Sequence, residues 1–113
     1  MSAGAAPPDP RYVTDVPYAR RFVRELSPAW LDFCALICGF TPPARDRTFE
    51  WCELGCGHGV TPVFLAAAHP HGRFTGIDLM PDHIAFAERF ARDASVGNAR
   101  FHAHQTQYET LNG

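Results

Sequence analysis

The spacing of apolar and polar positions along the chain predicts strands and helices in alternation. Strands are predicted at "TFEWCEL" (48–54), "GRFTGIDL" (72–79) and "ARFHAHQT" (99–106). Helices are predicted at "SPAWLDFCALICGF" (27–40), "VTPVFLAAAHP" (60–70) and "PDHIAFAERFARDA" (81–94). Strands joined through helices cannot be hairpin partners, so the sheet is expected to be parallel with right-handed crossovers. The order is that of half of a doubly wound α/β domain.

The first and third helices carry the clearest local signals. Ser27 is a candidate N-cap, Pro28 suits the first helical position and Gly39 suits the position just past the end. Apolar residues of this helix occupy more than one face, which predicts packing on two sides. The third helix carries a single apolar stripe. That stripe consists of Ile84, Ala87, Phe90, Ala91 and Ala94.

Composition limits the classes of function. A chain of 113 residues forms at most one domain, and 46% hydrophobic against 19% charged residues indicates a folded one. Residues 1–26 are predicted to be a tail and lead-in segment, and 27–113 the folded unit. With 10 basic and 12 acidic residues, nothing favours nucleic acid, and no apolar run is long enough to span a membrane. The start has no signal-peptide pattern, so reduced cysteines and a cytoplasmic location are expected.

Three glycines follow the first predicted strand in "WCELGCGHGV". In a parallel sheet, ligands bind beyond the carboxyl ends of the strands. Gly55, Gly57 and Gly59 would let the main chain take positive φ angles and approach a ligand closely there. Glu53 stands directly before the first of them. A plain strand-to-helix turn is the alternative explanation.

A second acid ends the next predicted strand. Asp78 follows Gly55 by 23 residues, close to the spacing of about 20 typical of an acid that binds ribose hydroxyls. It could also be the N-cap of the following helix. The dinucleotide fingerprint would need its third glycine at position 60, which is Val60. A nicotinamide-dependent oxidoreductase is therefore disfavoured.

"ELGCGHG" followed by "FTGIDL" resembles motif I and the following acidic motif of class I S-adenosylmethionine-dependent methyltransferases. The resemblance covers residues 49 to about 106, with a looser match upstream in "YVTDVPY". It implies a Rossmann-like parallel sheet with flanking helices, of which three strands, the first half, are present. It implies S-adenosylmethionine as cofactor and transfer of a methyl group to an acceptor that the sequence does not name.

The resemblance also implies roles for single residues. The main chain at Gly55, Gly57 and Gly59 would line the methionine part of the cofactor, and Glu53 would reach its amino group. Asp78 would accept hydrogen bonds from the ribose hydroxyls. Leu79 would pack on the adenine ring. The family often has an acid after the third strand, where this chain offers "QTQ" (105–107).

Other constellations carry weaker signals. Two Cys-x-x-x-Cys pairs, at 34 and 38 and at 52 and 56, could suggest zinc, but their apolar surroundings favour free thiols. His102 and His104 share one face of the third strand, where a satisfied surface pair is the simpler interpretation. His58 lies inside the glycine loop, and a catalytic role for it stays open. The basic run at Arg20, Arg21 and Arg24 is interpreted as a solvated helix face.

The second half of the family's fold usually supplies the acceptor pocket. Without its fourth strand, one edge of the first strand would be bare, so self-association or a partner chain is expected there. We expect a piece of a longer enzyme, with no turnover by the 113 residues alone. The competing hypothesis is a non-catalytic, truncated methyltransferase-like binding or partner module.

Overall fold

The computed structural model describes residues 20–104, and it contains the predicted alternation of helices and strands. The helices are α1 (Pro28–Ile37), α2 (Val60–Ala68) and α3 (Pro81–Asp93), preceded by a short 3-10 turn at Arg24–Leu26. The strands are β1 (Phe49–Leu54), β2 (Gly72–Asp78) and β3 (Ala99–Ala103). No helix among these residues is long and apolar enough to cross a bilayer.

The three strands form one parallel sheet in the order β1-β2-β3, as predicted. Trp51 of β1 lies opposite Phe74 of β2, and Phe74 lies opposite Ala99 of β3. Within the described residues β1 pairs on one side only. The register brings the carboxyl ends of β1 and β2 together, because Leu54 lies opposite Ile77.

The core lies between one face of the sheet and the two crossover helices. One buried cluster joins the rings of Phe49, Trp51 and Phe74 to α2. A second joins α2 to α3 and to Phe101 of β3. Side chains that alternate with these buried ones, such as Glu50 and Arg100, are exposed on the opposite face. The strands therefore show the alternation that one covered face produces, except at the end of β2, where Ile77 is buried on the opposite face.

Helix α1 begins and ends where the sequence predicted. The Ser27 side chain accepts a hydrogen bond from the Trp30 N–H at 3.3 Å, and Gly39 follows the helix with a φ of +86°. The predicted packing on two sides is wrong for the described residues. Pro28 is the buried residue of α1, whereas Phe33 is 57% and Ile37 67% exposed. An apolar pattern identifies side chains that could be buried, but it does not provide a surface opposite them.

Helix α3 confirms most of its predicted stripe. Ile84, Ala87 and Ala91 are buried, and Phe90 is half-buried. Ala94 is exposed, which corrects the prediction, because the helix ends at Asp93 and Ala94 is its C-cap.

Candidate functional site

The glycine loop connects β1 to α2 and is fixed to the end of β2. The main-chain N–H groups of Gly55 and Cys56 both donate to the Ile77 carbonyl, at 2.7 and 3.0 Å. Inside the loop, the Gly59 N–H donates to the Cys56 carbonyl at 3.1 Å. Gly59 is the N-cap of α2, so the loop ends at a helix N-terminus, where main-chain N–H groups favour negative charge.

All three glycines of the loop have positive φ angles, but their surroundings differ. Gly55 is exposed at φ +78°, and a side chain there would meet nothing within 4 Å. Gly59 is buried at φ +73°, and an added Cβ would lie 2.6 Å from that of Ala87. Gly55 therefore leaves the main chain open to a ligand, whereas Gly59 also lets α3 pack closely against the loop.

Asp78 lies at the end of β2 and is only 2% exposed. Its Oδ1 accepts a hydrogen bond from the Gly57 N–H at 3.0 Å. Its Oδ2 accepts one from the Met80 N–H at 3.0 Å and lies 3.0 Å from Nδ1 of His83. Met80 is the N-cap residue of α3, so Asp78 does not occupy the N-cap position that the sequence left open. The carboxylate instead connects the glycine loop with the start of α3.

Glu53 lies one residue before the end of β1, and its side chain is partly buried. Its Oε1 is buried and has no hydrogen-bond partner among residues 20–104. Burial, and after it the negative charge of Asp78, raises the pKa of Glu53 to about 7. An unpaired buried carboxylate oxygen is costly unless a donor or a cation reaches it. The site thus holds an acceptor suited to a positively charged donor.

His58 lies in the loop within a cluster of rings. Its ring centroid is 4.3 Å from that of His83 and 5.1 Å from that of Phe86. The guanidinium of Arg20 lies over the Phe86 ring at 4.4 Å from its centroid. Burial lowers the pKa of His58, and the nearby His83 and Arg20 lower it further. Within the part of the chain that the structure describes, the Nδ1 atom of His58 is buried without a hydrogen-bond partner.

The structure brings Glu53, Asp78 and the three glycines together at the carboxyl edge of the sheet. Leu79 follows directly after β2 and is half-buried. Residues 105–107, considered for the adenine contact, lie outside the described residues, as does the upstream "YVTDVPY". Sequence reasoning missed His83. Its one sequence signal was its place in the first turn of the helix after Asp78.

The remaining candidates do not form a second centre. All four cysteines are free thiols, and between residues 20 and 104 no cluster of three or more potential ligands could hold a metal ion. His102 and His104 are exposed. Arg20, Arg21 and Arg24 are exposed as expected, although Arg20 also contacts an aromatic ring.

Comparison with known proteins identifies the family. A family model described as "Methyltransferase domain" matches residues 52–112, which include the glycine loop, both acids and all of α2 and α3. The chain belongs to this methyltransferase domain family, and its sheet and helices are the class I, Rossmann-like arrangement that the resemblance implied.

Among relatives, the chain is 34% identical over 90 residues to the uncharacterized protein sll1526 of Synechocystis, covering 80% of this chain and 18% of that protein. Among solved structures, it is similar to PKMT2 from Rickettsia typhi in complex with AdoHcy. That match has a TM-score of 0.70 and 25% identity, and it covers 78% of this chain and 17% of the other.

Coclaurine N-methyltransferase, bound to N-methylheliamine and SAH, shares the fold at a TM-score of 0.50 and 18% identity, over 67% of this chain and 21% of that one. The chain therefore spans less than a fifth of the length of sll1526 and of PKMT2.

Proposed function

We propose that the carboxyl edge of the sheet binds S-adenosylmethionine, and that the chain is the cofactor-binding part of a methyltransferase. The observation that carries this proposal is the buried, unpartnered Oε1 of Glu53 beside the open main chain at Gly55. The methionine end of the cofactor has an ammonium group that would satisfy this oxygen. Membership in the methyltransferase domain family and the AdoHcy complex of the similar PKMT2 support the choice of ligand.

The described residues fit the other parts of the cofactor. The loop ends at the N-terminus of α2, which suits the methionine carboxylate. A carboxylate oxygen can accept two hydrogen bonds, and Oδ1 of Asp78 accepts one, from Gly57. A ribose hydroxyl would bind at its second acceptor position, and because the Asp78 side chain is only 3% exposed, local opening of the site would have to accompany binding. Half-buried Leu79 offers apolar surface to the adenine.

In methyl transfer, these residues would bind and orient the cofactor. When bound, the cofactor supplies a methyl group on a sulfonium, which is already a good leaving group. Glu53, the glycine loop and Asp78 would hold that group in one position, so the protein contributes by alignment. Recognition of the methyl acceptor, whose chemical class is unassigned, would involve residues outside 20–104. A cytoplasmic location agrees with the four free thiols.

Isothermal titration of S-adenosylhomocysteine, with NAD as comparison ligand, tests the proposal. Glu53→Gln keeps the shape of the side chain and removes its charge. We expect it to weaken binding of S-adenosylhomocysteine about tenfold or more, because a charge-assisted hydrogen bond contributes about 1.5–3 kcal/mol. Glu50→Gln is the matched control, since Glu50 is exposed on the same strand.

Three results would contradict the proposal. They are the absence of binding by the folded chain, tighter binding of NAD, and equal affinity of wild type and Glu53→Gln. The competing binding-module hypothesis predicts the same binding, so turnover by a longer chain separates it from the enzyme.

A further inference from the structure

The Asp78 carboxylate is held by two main-chain donors and one side chain, and that side chain is His83. The distance from Nδ1 of His83 to Oδ2 of Asp78 is 3.0 Å. Both side chains are withdrawn from solvent, at 13% and 3% exposure. An ionised carboxylate only accepts hydrogen bonds, so this contact requires the proton on Nδ1 of His83 whenever Asp78 is ionised.

His83 also touches the glycine loop directly. Its ring lies 4.3 Å, centroid to centroid, from that of His58, which stands between Gly57 and Gly59. The Phe86 ring also contacts the His58 ring and meets it edge-on at 87°. The first turn of α3 therefore contacts the loop at two points. In one contact His83 hydrogen-bonds to Asp78, which accepts a hydrogen bond from the Gly57 N–H. In the other, the rings of His83 and His58 pack together.

We propose that His83 is a positioning residue for the cofactor site. It holds Oδ2 of Asp78 so that Oδ1 stays directed at the Gly57 N–H and at the position proposed for the ribose. The terminal torsion of an aspartate is soft, so donors on one oxygen decide where the other oxygen points. Without His83, the Met80 N–H is the remaining donor to Oδ2 among the described residues, so the carboxylate is held less firmly against the loop.

The relevance of this role to methyl transfer rests on the proposed function. The positioning itself concerns contacts within the chain and can be measured without any ligand. The amide resonance of Gly57 reports on the hydrogen bond to Asp78, whereas the affinity for S-adenosylhomocysteine reports on the site as a whole. The two measurements therefore separate the two proposals.

Two substitutions separate the donor from the ring. His83→Asn keeps an N–H close to the place of Nδ1 and removes the ring. His83→Phe keeps a ring against His58 and removes the donor. We expect His83→Phe to shift the Gly57 amide proton upfield and to weaken binding about tenfold, as loss of one hydrogen bond to a charged group does. His83→Asn should leave the Gly57 amide resonance at its wild-type position. Its affinity for S-adenosylhomocysteine should be within about threefold of that of wild type.

The proposal is overturned if His83→Phe leaves the Gly57 resonance unchanged, or if the two variants lose affinity only in proportion to their melting temperatures. If His83→Phe does not fold, His83→Leu fills the same space without a donor and gives the same comparison. If neither folds while His83→Asn does, the histidine is required for folding and its positioning role is rejected. Failure of wild type to bind S-adenosylhomocysteine contradicts the proposed function, and the Gly57 shift then decides the role of His83 alone.

Discussion

Glu53 makes the stability of the chain depend on pH in a predictable direction. Its pKa rises from the ordinary 4.5 to about 7 in the folded chain, mainly because the carboxyl group is buried. Between these two pH values the folded state holds a proton that the unfolded state has released. The free energy of unfolding therefore falls as the pH rises through this window, and the full cost of the buried charge is present above pH 7.

The size of the effect follows from the shift. Each pKa unit corresponds to about 1.4 kcal/mol, so the shift from 4.5 to about 7 limits the change in the free energy of unfolding to about 3–4 kcal/mol. The side chain is only partly buried, and screening by solvent reduces the expected effect to about 2 kcal/mol. Glu53→Gln cannot ionise and should escape this cost.

Urea unfolding of wild type and Glu53→Gln at pH 5 and pH 8 measures the prediction. From pH 5 to pH 8, the free energy of unfolding of Glu53→Gln should rise by about 2 kcal/mol relative to that of wild type. Groups that titrate in both proteins cancel in this comparison. Glu50→Gln, exposed on the same strand, should show no such change. A difference between wild type and Glu53→Gln that is constant from pH 5 to pH 8 would refute the reasoning.

Further expectations concern packing, hydrogen bonding and thiol reactivity. Gly76→Ala should lower the free energy of unfolding, measured with urea, by about 1–3 kcal/mol, because the added Cβ would lie 2.8 Å from the Cys56 sulfur and from a ring carbon of Phe101. Gly97→Ala, with nothing within 4 Å, should be close to neutral, and equal costs for the two would reject the contact argument. Asn98→Ala should cost about 1–3 kcal/mol, because the Asn98 amide donates to three main-chain carbonyls at 2.9–3.0 Å. A change below 0.5 kcal/mol, on the scale of ordinary surface substitutions, would argue against those bonds. Burial raises the pKa of Cys56 to about 12, so iodoacetamide at pH 8 should label exposed Cys38 first, and faster labelling of Cys56 would contradict its burial.

The elements of the fold were largely predictable because their signals are local. The alternation in β1 and β2, the single stripe of α3 and the caps of α1 all depend on residues a few positions apart. The position of the glycine loop at the carboxyl ends of β1 and β2 was predictable from the order of strands and helices, and its role as a ligand site stays a prediction from the rule for parallel sheets. The exposure of α1 was not predictable, since it depends on which surface lies opposite the helix.

Relations between distant residues could not be predicted in the same way. Gly59 needs to be glycine partly because Ala87, on another helix, lies against it. The Asp78 contact with His83 depends on how α3 starts after β2, which the spacing of apolar residues does not describe. The unpartnered oxygen of Glu53 is a property of the folded site, although the sequence had singled out the residue.

The most direct test of the central claim is to map S-adenosylhomocysteine onto the chain by amide chemical shifts in NMR. The account predicts saturable shifts at Gly55, Gly57 and Leu79, which lie at the carboxyl edge of the sheet. Thr48 and Asn98, next to the amino ends of β1 and β3, should remain unchanged. Shifts confined to that opposite edge, or no shifts at millimolar ligand, would contradict the assignment of the glycine loop as the cofactor site.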